Sequence, residues 1–174
     1  MLGEGEYREQ LQQLIDDCDL HDSVFVLGKH ENVYQFLACA DVFAFSSLWE
    51  GMPNTMLEAL SVGLPIVSTD CVSGPREIIA PKAGTIEQLE YPHETEHGIL
   101  VLAPENVSPI WQPPATQPLT LEEEQLAAAL SDVLTRQWFR GSTHTAYRRH
   151  IADAFDKKTI MAQWETLLTQ PNHP

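Results

Sequence analysis

Four short apolar runs set the fold of this chain: Val24–Leu27, Val42–Phe45, Ile66–Ser68 and Gly98–Val101. Each has the length of a strand and reads as a buried one. Helical spacing fills the stretches between them. Tyr7, Leu11, Leu14 and Ile15 make an opening amphipathic helix, Val33, Phe36, Leu37 and Ala40 a second, and Leu57 to Ser61 a third that Gly63-Leu64-Pro65 stops. Buried strands alternating with helices specify a parallel sheet covered on both faces, the doubly wound α/β class. Ligands in such sheets bind beyond the carboxyl ends of the strands, so the loops after Leu27, Phe45 and Ser68 are where function is expected.

After residue 102 the pattern changes. Five prolines between Ala103 and Pro118, without periodicity, indicate an extended connection over 103–119. Thr120-Leu121-Glu122-Glu123 then has the form of a capping box opening a helix that runs to about Thr135, its acids suiting a first turn. A further helical stretch follows Gly141, with Ile151, Ala154, Phe155, Ile160, Trp164, Leu167 and Leu168 as the apolar positions that pack back on the body. The chain thus reads as one domain, with a core over 1–102 and closing helices over 120–170. Its 174 residues, 43% hydrophobic, suffice for one sizeable core.

Charge narrows the partners. Twenty-five acids against 10 bases give a net charge of −15, which repels a nucleic-acid backbone and offers no basic face to anionic lipid. An anionic small ligand therefore needs locally arranged donors, such as a helix N-terminus. Cys18, Cys39 and Cys71 are an odd number outside any CxxC spacing, which reads as small core residues in a reducing, cytoplasmic compartment. No stretch approaches the roughly 18–20 apolar residues of a membrane span, and the start of the chain lacks a signal pattern.

The segment that carries chemistry is Phe43-Ala44-Phe45-Ser46-Ser47-Leu48-Trp49-Glu50-Gly51-Met52-Pro53-Asn54-Thr55-Met56-Leu57-Glu58-Ala59-Leu60, which reads as strand, turn, helix. Gly51 permits close backbone approach and Pro53 suits a first helical turn, so free amides there face the ligand edge of the sheet, a geometry for a diphosphate. Glu50 in the turn and Glu58 in the helix can each accept hydrogen bonds from paired sugar hydroxyls. The pattern leaves other roles open: Thr55-x-x-Glu58 also has the form of a capping box, and Glu50 also suits a solvated turn acid.

This run, continued through Ser61-Val62-Gly63-Leu64-Pro65-Ile66-Val67-Ser68, resembles the E-x7-E signature of retaining GT-B glycosyltransferases, glycosyltransferase family 4. The resemblance extends to Ser73-Gly74-Pro75-Arg76-Glu77-Ile78-Ile79, Gly98–Val101, Val24–Gly28 and Ala40-Asp41-Val42, and so covers most of residues 1–102. It implies the Rossmann-like C-terminal half of a GT-B fold that binds a nucleoside-diphosphate sugar, with a UDP-sugar favoured. Glu58 would take the ribose hydroxyls and Glu50, the residue assigned to catalysis, the donor sugar. The turn Gly51, Met52, Pro53, Asn54 and Thr55 would hold diphosphate or sugar, while Gly28 and Lys29 lie near the base and Arg76 near phosphate. Such transfer retains anomeric configuration and uses no metal or other cofactor. The Ser73–Glu77 variant looks like bacterial polysaccharide enzymes, so a glycan or lipid-linked acceptor is implied, on an enzyme peripheral to the inner face of the membrane.

The departures have consequences of their own. The family's first strands and the basic pair that grips the diphosphate precede the Gly3-x-Gly5 turn, and an N-terminal acceptor domain precedes them, so this chain alone is expected to be inactive. In the family's strand order two strands lie between those at Val24 and Val42; without them the sheet has a gap, or is repaired by oligomerisation. A non-catalytic nucleotide-binding module is the alternative from another class. A zinc hydrolase is a third reading, because His93-Glu94-Thr95-Glu96-His97 matches HExxH, although Pro92 and Gly98 leave little room for the helix that motif requires. Arg76 can instead pair with Glu77, Lys29 can be an exposed turn residue, and for Trp49 packing under the turn is preferred to lining the donor pocket.

Overall fold

The computed structural model describes residues 1–83, 88–105, 118–136 and 154–169. In chain order the elements are α1 (Arg8–Asp17), α2 (Tyr34–Leu37), β1 (Phe43–Phe45), α3 (Asn54–Ser61), β2 (Ile66–Thr69), α4 (Pro75–Ile79), β3 (His93–Glu94), β4 (Gly98–Val101), α5 (Leu121–Arg136) and α6 (Lys157–Thr169). The four strands form one sheet in the order β1-β2-β4-β3. β1, β2 and β4 are parallel, with Phe43 opposite Ile66 and Ile66 opposite Gly98, and β3 closes one edge antiparallel. This is the α/β arrangement that the alternating runs specify.

Every residue of β2 and of β4 is buried. Because successive strand residues point to opposite faces, both faces of these central strands are covered. Met56, Ala59 and Leu60 of α3, Ile78 and Ile79 of α4, and Ala129 and Val133 of α5 join them in a single core. Close approach at the centre requires a glycine: a Cβ on Gly98 would lie 2.0 Å from the carbonyl oxygen of Ile66. At the start of α5 the capping box forms, Thr120 N–H donating to Glu123 Oε2 at 2.8 Å and Glu123 N–H to Thr120 Oγ1 at 3.3 Å.

The expected strand at Val24–Leu27 is not part of this sheet. It lies beside the first residues, with Leu27 N–H donating to Met1 O at 2.9 Å and Gly3 N–H to Gly28 O at 2.9 Å. Phe25 and Leu27 are exposed: the segment is bridged only to the first residues among those described, and a strand needs sheet and helix neighbours to bury both of its faces. The cysteines also depart from expectation: Cys71 is buried, but Cys39 is exposed and Cys18 only partly covered. Most of the connection over 103–119 and the stretch from Gly141 to Ile151 lie outside the described residues. No helix among the described residues is long and apolar enough to cross a membrane.

Candidate functional site

Two loops leave the carboxyl ends of the adjacent strands β1 and β2 and are fastened to each other. Thr69 Oγ1 donates to the carbonyls of Ser47 at 2.5 Å and Phe45 at 3.5 Å, Trp49 forms a parallel bridge with Val72, and Ser73 Oγ donates to Gly51 O at 3.3 Å. Gly74 sits where they meet, at φ +92°; a Cβ there would be 2.5 Å from Pro53 Cδ and 2.7 Å from Gly51 O. Sterics thus exclude any other residue, and the backbone conformation favours glycine independently.

The first of these loops delivers α3. Pro53, buried, takes the N-cap position in an extended conformation, one place earlier than its fitness for a first turn suggests. It offers no side-chain cap, and the helix begins on exposed Asn54 and Thr55. Helix geometry leaves the amides of such a first turn without intrahelical acceptors, and they carry the positive end of the helix dipole. The capping-box reading of Thr55 and Glu58 fails, because Thr55 is already inside the helix. Glu58 stands half-buried within α3, and Glu50 is held in the preceding turn by Ser47, whose Oγ donates to Glu50 Oε1 at 2.7 Å. In the chain, Glu50 thus comes just before the turn Gly51–Thr55 and Glu58 three residues after it, on either side of an uncapped helix start.

Beside this arrangement is a cleft of about 360 Å³ lined by Asp70, Cys71, Val72, Ser73, Arg76 and Glu77. Its wall is ionic. Arg76 donates through Nε to both carboxylate oxygens of Asp70, at 3.1 and 2.9 Å, and again through Nη2, while Tyr91 donates its hydroxyl to the same carboxylate. Asp70 and Tyr91 hold the Arg76 guanidinium charged, raising its pKa, Asp70 foremost through its hydrogen bond. Burial, and then the bond to Asp70, push the Tyr91 phenol up. The cation expected to meet phosphate or Glu77 is thus taken up by Asp70, while Glu77 accepts the Gly74 N–H at 2.7 Å. Burial raises the Cys71 thiol, and the charge of Glu50 raises it further.

Gly28 and Lys29 are tied to the first residues of the chain. Gly28 O accepts from Gly3, and Lys29 N–H donates to Glu4 Oε1 at 3.3 Å. Trp49 does not pack under the turn: it is 76% exposed. The HExxH residues lie on β3 and a tight turn in which Thr95 Oγ1 accepts from the amides of His97 and Gly98, both at 3.1 Å, so the helix that sets two histidines on one face is absent there. Among the described residues no three potential ligands gather for a metal. Sequence reasoning missed Ser47, Asp70 and Tyr91. Their roles arise from pairings across 3 to 21 positions that no periodicity marks.

An uncapped helix start at the carboxyl edge of a parallel α/β sheet, with one carboxylate before it and one after it in the chain, is chemically suited to an anionic, hydroxyl-rich ligand. The family model described as glycosyl transferases group 1 matches residues 1–100, and the chain belongs to that family. It is 39% identical over 168 residues, 97% of its length, to the uncharacterized glycosyltransferase MJ1059 of Methanocaldococcus jannaschii, covering 41% of that protein. It is 38% identical over 85 residues to the lipopolysaccharide 1,6-galactosyltransferase of Escherichia coli K12, 47% of this chain and 24% of the relative. The chain therefore spans less than half of these relatives. Among solved structures, Anabaena HepE in complex with UDP and glucose superposes with a TM-score of 0.69 at 19% identity, covering 98% of this chain and 40% of that one. The fold is that of the C-terminal half of GT-B glycosyltransferases.

Proposed function

We propose that this chain is the donor-binding part of a retaining, family-4 glycosyltransferase that builds bacterial polysaccharide or cell-envelope glycan from a nucleoside-diphosphate sugar. The observation that carries this reading is the start of α3, uncapped and joined through Gly51 to the β2–α4 loop, with Glu50 and Glu58 on either side. The amides of Asn54 and Thr55 receive the diphosphate, with Gly51, Met52 and Pro53 shaping the turn around it. Glu58 accepts from the ribose hydroxyls, and Glu50, oriented by Ser47, accepts from the donor sugar and is the carboxylate nearest the reacting centre. Arg76, locked to Asp70, shapes the wall of the cleft. Gly28 and Lys29 reach the base from their separate segment.

UDP is the favoured nucleotide, since HepE, of like fold, was solved with it. Transfer of a hexosyl or N-acetylhexosaminyl group, with retention and without a metal, takes place once an acceptor-binding portion faces this one, on an enzyme at the cytoplasmic face of the membrane. A donor phosphate oxygen, and no protein base, assists the acceptor hydroxyl. This chain by itself binds donor and does not turn over.

Thermal unfolding with UDP, GDP, ADP and zinc tests the reading, because a ligand that binds only the native state raises the midpoint. UDP is expected to raise it for this chain and not for Glu58→Ala. A cooperative transition that no nucleotide moves removes the proposal, and a response to zinc alone favours metal chemistry.

A further inference from the structure

Thr69 is the last residue of β2 and is 3% exposed, so its hydroxyl has to find a partner inside the protein. It finds one across the sheet. The ladder between β1 and β2 ends with Phe45 opposite Ser68, and the Thr69 hydroxyl carries the connection two residues further along the chain, donating to Ser47 O at 2.5 Å. Ser47 in turn donates its own hydroxyl to Glu50 Oε1 at 2.7 Å. The backbone of Glu50 is held more loosely, its N–H donating to Val72 O at 3.5 Å. Two side-chain hydrogen bonds therefore form a line from the buried end of a central strand, through one loop residue, to a carboxylate of the candidate site.

We propose that Thr69 is a positioning residue for the donor sugar, acting through Ser47 to aim Glu50; this rests on the donor-site reading above. A glutamate on a loop loses rotamer freedom when it receives a ligand, and a hydrogen bond already made at one oxygen removes part of that freedom in advance. Ser47 orients Glu50 only as well as its own place is fixed. It lies beyond the β1–β2 ladder, where strand pairing no longer holds it, and Thr69 supplies the bond from a strand that is paired on both sides and buried throughout. With Ser47 on Oε1, the lone pairs of Oε2 remain to accept from sugar hydroxyls. Valine has the shape of threonine without the donor, so it separates this bond from the packing of the strand.

Calorimetric titration of the full chain with UDP, UDP-glucose, UDP-galactose and UDP-N-acetylglucosamine tests the assignment. At least one of the sugar nucleotides should bind severalfold more tightly than UDP, and Glu50→Ala should abolish that excess. Thr69→Val, Thr69→Ala and Ser47→Ala should each lose most of it while UDP still binds, and Thr69→Ser should retain it. The double variant Ser47→Ala, Thr69→Val should be no worse than Ser47→Ala alone, because both changes cut one line. A threonine that serves the strand alone gives a different result, a lower melting temperature with UDP and sugar nucleotides weakened alike. That result overturns the proposal, as does a Thr69→Val chain that keeps the full excess. A parent chain that binds UDP, but no sugar nucleotide more tightly, overturns it while leaving nucleotide binding in place; a parent that does not bind UDP removes the donor-site reading and the proposal with it.

Discussion

At the scale of single residues the most consequential group is Asp70, whose side chain is 1% exposed and whose charge is met by Arg76 and Tyr91. Removing one partner of a buried ion pair leaves the other uncompensated and costs about 3–5 kcal/mol. Arg76→Ala should lower the unfolding free energy by that order in denaturant titrations, and Asp70→Ala made in the same chain should restore part of the loss. The phenol adds a pH dependence of definite sign. Its folded pKa lies above the ordinary value of 10.0, so the native state holds the proton more tightly than the unfolded chain does. Its contribution is complete below that value and is lost as pH rises through the folded pKa; a Tyr91→Phe variant should show a flatter decline in alkaline melts. Cys71 offers a third check. Glu50→Gln removes a charge that raises the thiol, so in a Cys18→Ser, Cys39→Ser background the ultraviolet thiolate absorbance should appear at lower pH than in the parent.

At the scale of elements, the join between the β1–α3 and β2–α4 loops decides whether the site exists. Gly74→Ala forces a methyl group onto Pro53 and Gly51 and strains a left-handed backbone, at about 1–3 kcal/mol or more. The expected outcome is a lower melting temperature together with loss of the nucleotide-induced shift, while core signals from Ile99 and Leu100 remain native. This level also separates what was legible in the sequence from what was not. Gly98–Val101 is a strand at the bounds its apolar run indicates, and Thr120–Glu123 caps α5 as its spelling implies, because both depend on nearest neighbours. α4 is five residues long and β3 two, too short for any period to emerge, and α4 is set by the left-handed turn at Ser73 and Gly74 before it. Val24–Leu27 has strand composition, yet strand character needs a partner that composition does not supply. Within the site, Glu50, Glu58 and the turn between them were visible as a motif. The occupation of Arg76 by Asp70 was not, because sequence places Glu77 nearer to it than Asp70.

At the scale of the whole molecule, a net charge of −15 opposes any anionic ligand, while the attraction of one helix start is local. Salt shortens the long-range field to about 10 Å at 0.1 M and weakens the repulsion felt during approach. Association of UDP should therefore quicken as ionic strength rises from low to physiological, the reverse of a basic binding site; stopped-flow measurements at several salt concentrations decide the sign. The order in which the chain is made bears on the same molecule. β2 pairs on one side with β1, which precedes it, and on the other with β4, which follows only after α4 and β3. During synthesis the loops bearing Glu50 and Gly74 can meet as soon as β2 emerges, but the far edge of β2, apolar and unpaired, waits for Gly98 to arrive opposite Ile66. A nascent chain halted between those two points carries the joined Glu50 and Gly74 loops beside an open strand edge, and that interval is when it is most in need of a chaperone.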